Sequence, residues 1–266
     1  MTLPATDETS DDAHSPIAGF ISPPRWYDPS PSEFASICAG PIRTQQTILP
    51  MANFVFELAN IARTEPEMMA AARSLGESGC QAIAKTGTPF AWAGAETEPA
   101  ARGRANRLAD SARVPVVMAG LAIVDALRAL GLARVAVCTP YYTEEWRVGW
   151  GNFLRSCDVD VLTMQSMDQQ GILPADIDIA DHSWATSPQM VMRSAEAIMQ
   201  NAPTAQAVVI TGAGARTLSL TRPLEAQLGV PVIASDTALY WALTMALRVK
   251  LVNGALGALT NAPGRV

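Results

Sequence analysis

Lysine is nearly missing from this 266-residue chain: Lys85 and Lys250 are the only two, and arginine carries almost all the positive charge. Charged residues make up 17% and the net charge is −6, so no basic stripe exists for a nucleic-acid backbone to follow. Histidine is scarce as well. His14 and His182 are too few and too far apart for a zinc site. The four cysteines, Cys38, Cys80, Cys138 and Cys157, show neither a CxxC pair nor metal-ligand spacing, and reduced, mostly buried thiols in a cytoplasmic chain are expected. Apolar runs are broken by Arg, Gly or Pro well short of a membrane span, which excludes a membrane partner. The opening MTLPATDETSDDAHS lacks an apolar stretch and is expected to be part of a disordered acidic tail over 1–16, not a signal peptide.

What the chain does have is 49% hydrophobic content, enough for a full core, and an internal repeat. RVPVVMAGLAIVDALRALG at 113–131 and GVPVIASDTALYWALTMALR at 229–248 lie about 116 residues apart and share one plan. Each runs Val-Pro, a β-branched stretch and small residues into an amphipathic helix, marked by Leu121, Val124 and Leu127 in one copy and Leu239, Leu243 and Leu247 in the other. Upstream, QAIAKTGTPF at 81–90 and AVVITGAGAR at 207–216 both carry an apolar strand into a Thr-Gly turn. Strand and helix signals alternate throughout, so the expected fold is α/β, with parallel sheets flanked by helices in two pseudosymmetric lobes and a cleft between them. The expected division is 17–115 plus 235–256 for the first lobe, 116–234 for the second, and a flexible tail over 257–266. Thr64 is expected to cap a helix over 65–78, and the last helix is expected over 236–252. Residues 36–49 stay ambiguous.

In open parallel sheets ligands gather beyond the carboxyl ends of the strands. The residues that follow the strands are Pro23-Pro24-Arg25-Trp26-Tyr27, Lys85-Thr86-Gly87-Thr88, Ala119-Gly120, Thr139-Pro140-Tyr141-Tyr142, Thr211-Gly212-Ala213-Gly214 and Ser235-Asp236. Hydroxyls and glycine amides dominate, a set suited to holding an anion with neutral donors. No cofactor is called for: there is no Walker lysine, and Gly212-Ala213-Gly214 is too short for a dinucleotide turn.

The order Thr-Gly turn, VPVV with its helix, RVAVCTPY, a second Thr-Gly turn, RTL, PLEAQLGVPVIAS and Trp241 resembles the aspartate/glutamate racemase superfamily, nearest to its arylmalonate decarboxylase and maleate isomerase branch. The resemblance spans about residues 17–250. It implies two lobes with a small carboxylate between them, a cofactor-independent lyase or isomerase, and an enediolate or related planar anion. Members of the family carry a catalytic thiol in one lobe or in both; here the matching positions read Lys85-Thr86-Gly87 and Thr211-Gly212-Ala213-Gly214.

The resemblance therefore points to Lys85, Thr86 and Tyr141 as catalytic residues, with Lys85 standing in for the thiol acid or base. Gly87, Thr88, Thr211, Gly212, Ala213, Pro24 and Trp26 are the expected substrate-binding residues. Lys85 also admits the plain reading of an ammonium turned out to solvent, and the turn residues that of ordinary turn chemistry. Tyr142 is expected to pack. Arg43, Arg216, Asp236, His182 and Trp184 are weaker candidates, with Asp236 expected to cap the last helix. The activity expected first is decarboxylation of a malonate-like acid. The alternatives are cis–trans isomerisation, thiol-independent hydrolysis of a small amide or lactone, and a carboxylate-binding pseudoenzyme. The expected partner is the small-molecule substrate, with a homo-oligomer left open.

Overall fold

The computed structural model describes residues 15–174 and 186–263. In chain order the first half holds β1 (Ile17–Ser22), α1 (Ser30–Ile37), β2 (Arg43–Ile48), α2 (Leu58–Ala62), α3 (Glu65–Glu77), β3 (Ala82–Lys85), α4 (Pro89–Trp92), α5 (Glu98–Ala112) and β4 (Val116–Met118). The second holds α6 (Ala119–Ala129), β5 (Arg134–Thr139), α7 (Glu144–Ser156), β6 (Asp160–Ser166), α8 (Pro188–Asn201), β7 (Ala207–Ile210), α9 (Thr221–Leu228), β8 (Val232–Ala234) and α10 (Ser235–Leu247). Among the described residues the strands form two four-stranded sheets, ordered β2-β1-β3-β4 and β6-β5-β7-β8, and every pairing between these strands is parallel. The two orders are the same pattern used twice, which is the expected α/β architecture of two pseudosymmetric lobes. β3 and β7 occupy equivalent places, so the two Thr-Gly turns are structural counterparts.

Short apolar runs such as AIAK and AVVI are buried at every position, as parallel strands covered on both faces must be. The ambiguous 36–49 segment divides between the end of α1 and β2, an edge strand whose RTQQTI sequence is half-exposed and therefore shows no clean alternation. β4 pairs with β3, so Val116–Met118 completes the first sheet; the expected lobe boundary before residue 116 falls one strand early. α10 ends at Leu247, short of 252, with Arg248 left-handed. It packs on α6 and also reaches β3 and β4, so the last helix crosses back to the first sheet. Beyond it, Gly257–Asn261 forms a 3-10 helix with Leu259 buried and Ala258 N bonded to Glu225, where a flexible tail was expected. Thr64 does sit ahead of α3, but its hydroxyl donates back to Ile61 O and makes no cap.

One apolar cluster joins Phe20 and Ile83 of the first sheet to Val135, Val137 and Val209 of the second, so the lobes share a core. Each fully buried large side chain in it, such as Trp150 or Phe153, contributes about 1.5–3 kcal/mol. Inside this core Arg104, on α5, is buried, and its Nη1 donates to Phe90 O (3.0 Å) and Ala93 O (2.8 Å) while Nε pairs with Glu65. The guanidinium thus closes the carboxyl end of the one-turn helix α4. Arg104→Met should lower stability by about 3 kcal/mol, because buried carbonyls and Glu65 lose their donor. A urea midpoint within error of the parent would show that α4 holds without it.

Candidate active site

The carboxyl ends of the strands meet a cavity between the lobes. Pro23, Trp26, Gly87, Pro89 and Phe90 line it from one side, and Tyr141, Tyr142, Trp146, Gly212 and Ala213 from the other, with Phe56 and Ile61 closing the rim. Its volume is about 30 Å³, and it opens to solvent. The aromatic walls make it apolar. Local sequence puts these walls in place. Thr143 caps α7 by accepting Trp146 N (3.4 Å), which sets Trp146 in the first turn facing the cavity.

The two turns that face each other need glycine. Gly87 has φ +86° and Gly212 φ +99°, conformations that side chains rarely adopt. A Cβ on Gly212 would lie 2.8 Å from the Tyr141 hydroxyl, and one on Gly87 2.9 Å from Phe90. Tyr141 accepts the Gly214 N–H at 3.2 Å. Tyr142, expected to be packing, also lines the cavity. Its phenol is flanked by the hydroxyls of Thr88 and Thr211, and burial pushes its pKa well above the ordinary value. Among the described residues no hydrogen bond of ordinary geometry satisfies Tyr142 OH, Thr88 Oγ1 or Thr139 Oγ1. Thr211 Oγ1 donates weakly to Cys138 O (3.4 Å). Neutral hydroxyls from both lobes therefore converge beside the cavity.

Lys85 is fully buried and does not line the cavity. Its Nζ donates to Thr86 O (2.6 Å) and sits 3.6 Å from the centroid of Phe90, the ring that does face the cavity. Desolvation drives its pKa well below the ordinary lysine value, and the charge of Asp28 works in the opposite direction. Thr86 points the same way: Oγ1 donates to Asp28 Oδ2 at 2.6 Å, so its hydroxyl is engaged outside the cavity. Asp28 also accepts from Ser22 Oγ (2.9 Å) and Ser30 N (3.0 Å), and Gln46 reaches Ser22 and the Asp28 carbonyl. This buried knot ties down the 23–30 loop that delivers Pro23 and Trp26. Asp28 is not among the residues expected at the site, although Asp-Pro-Ser ahead of a helix is a recognisable capping signal.

Of the remaining expected residues, Trp26, Gly87, Gly212, Ala213 and Tyr141 line the cavity, whereas Pro24 is buried behind Pro23 and Thr88 and Thr211 contribute only from behind the wall. Arg43 binds Ser15 O at the sheet edge. Asp236 does not cap α10 from the N-cap position; its carboxylate lies in the first turn and holds Thr217 N and Oγ1. His182 and Trp184 lie outside the described residues. None of the four cysteines lines the cavity. Burial pushes Cys138 up to about 12 and Cys38, Cys80 and Cys157 up to about 11, so all are thiols at neutral pH. Among the described residues no cluster of His, Cys, Asp or Glu could hold a metal ion, and no helix is long and apolar enough to cross a membrane.

The fold is shared with solved structures. An unliganded arylmalonate decarboxylase superposes with a TM-score of 0.76 at 19% identity, covering 94% of this chain and 100% of that one. The maleate isomerase from Pseudomonas putida S16 gives 0.77 at 20%, covering 94% and 100%. A mutant Nocardia farcinica maleate cis-trans isomerase, with a covalently bound succinylcysteine intermediate, gives 0.77 at 16%, covering 94% and 99%. No curated protein matches by sequence. The family model for arylmalonate decarboxylase matches residues 34–259, most of the chain, so this protein belongs to the arylmalonate decarboxylase family.

Proposed function

We propose that the chain is a lyase that decarboxylates a small malonate-like acid through an enediolate. The observation that carries this reading is the convergence of two glycine turns and two tyrosines on one apolar cavity, with threonine hydroxyls of both lobes beside it. Tyr142, Tyr141 and the amides of the Gly87 and Gly212 turns hold the retained carboxylate. The departing carboxylate faces Trp26, Phe56, Phe90 and Trp146, where a desolvated charge is disfavoured and neutral CO₂ is not. The carbon–carbon bond breaks, its electron pair passes to the enediolate oxygens, CO₂ leaves, and a proton is added to carbon. Neutral donors in a low-dielectric site stabilise the developing charge without a thiol. Two groups are in contention for the proton: Tyr142, whose ring lines the cavity and whose hydroxyl must turn towards it, and Lys85, which must displace the Phe90 ring to reach it.

The test is CO₂ release from malonate, methylmalonate and phenylmalonate in D₂O, with deuterium read on the product carbon. Turnover should fall at least about 100-fold in Tyr142→Phe. Solvent ¹⁸O in the product of a small amide or lactone would move the chain to the hydrolases. The absence of CO₂ from all three malonates would end the decarboxylase reading.

A further inference from the structure

Arg216, in the loop between β7 and α9, does not touch the cavity, yet its guanidinium bridges the lobes beside it. Nε and Nη2 grip both oxygens of Glu33 on α1, a bidentate pair. Nη2 also donates to Tyr240 OH on α10 (2.6 Å), and that hydroxyl donates to Glu33 (2.7 Å). The remaining nitrogen, Nη1, donates to Ala213 O at 3.1 Å. That carbonyl shares one planar peptide unit with the Gly214 N–H, and in a trans peptide the two point in opposite directions. The Gly214 N–H donates to Tyr141 OH. One peptide plane is therefore held by Arg216 on one side and by the phenol on the other. Further along the same loop Asp236 anchors Thr217 (2.8 Å to N, 2.5 Å to Oγ1), so the loop cannot drift as a body.

We propose that Arg216, locked by Glu33 and Tyr240, is a positioning residue that sets the rotation of the Ala213–Gly214 peptide and thereby holds the Tyr141 phenol at the cavity. The idea deepens the reading above, in which Tyr141 meets the carboxylate. It is tested on the ligand-free protein, so it stands or falls independently of any turnover.

The experiment is amide hydrogen exchange at single residues in the parent, Arg216→Gln and Tyr141→Phe. Gly214 exchange should rise at least about tenfold in both variants, while Val208 and Val209 in β7 keep their protection. The double variant should exchange no faster at Gly214 than the faster single one, because both act on the same hydrogen bond. Unchanged Gly214 exchange in Arg216→Gln would overturn the proposal. Should that variant not fold, Glu33→Gln keeps the side-chain acceptor and removes the charge, and parental Gly214 exchange there overturns it equally.

Discussion

Gly212→Ala should cost this protein both stability and ligand affinity, and the two losses have separable causes. The first is conformational: at φ +99° the residue lies where an L side chain is strained by about 1–3 kcal/mol. The second is a collision. The added methyl would stand 2.8 Å from the Tyr141 hydroxyl and 2.9 Å from the ring carbon that bears it. A buried backbone turn yields less readily than an aromatic side chain, so the ring moves and the Gly214 N–H loses its acceptor. Gly131→Ala is the control. Gly131 is also left-handed, at φ +68°, but nothing lies within 4 Å of its added methyl, so that variant reports backbone strain alone. We expect the Gly212 variant to be the less stable of the two in urea. Its malonate affinity should fall at least about tenfold, while the Gly131 variant binds as the parent does. Equal malonate affinity in all three proteins would remove Tyr141 from the binding site.

The repeat makes the architecture legible in the sequence. Two Val-Pro strand–helix units and two Thr-Gly turns translate directly into two sheets of the same strand order, with Gly87 and Gly212 at matching positions. The lobe boundary was harder, because β4 and α6 form one continuous repeat unit in sequence while β4 pairs with the first sheet and α6 leads out of it. Side-chain direction was legible only in part. Strand alternation says nothing about Lys85, since β3 is buried at all four positions. What decides its fate is Phe90, five residues later on a separate helix, and the charge of Asp28, on a loop 57 positions upstream. Tyr141 and Tyr142 follow a strand into a tight turn, and that bend brings neighbouring side chains to one cavity where simple alternation predicts a split.

Lys85→Met should flatten the pH dependence of stability and separate the two candidate proton donors. The folded protein releases the Lys85 proton well below 10.5, its ordinary value, because burial disfavours the ammonium, while the unfolded chain holds that proton up to the ordinary value. Between the two pKa values unfolding takes up a proton, so raising the pH through that window stabilises the fold. The slope approaches about 1.4 kcal/mol per pH unit, and the penalty is complete only below the folded pKa. Methionine fills a similar volume without a titrating group. It loses the hydrogen bond to Thr86 O, worth about 1 kcal/mol, together with the amine's contact on the Phe90 ring and its attraction to Asp28. Asp28 keeps Ser22, Thr86 and Ser30 as donors, so no carboxylate is stranded. Urea midpoints taken from pH 6 to pH 10 should therefore rise for the parent relative to the variant, with the variant gaining its advantage at the acid end. Parallel curves would mean that Lys85 titrates as a solvated amine. CO₂ release by the same variant settles the chemistry: persistence leaves the proton to Tyr142, and loss in a stably folded Lys85→Met protein with intact malonate binding means that Phe90 swings aside and the amine delivers it.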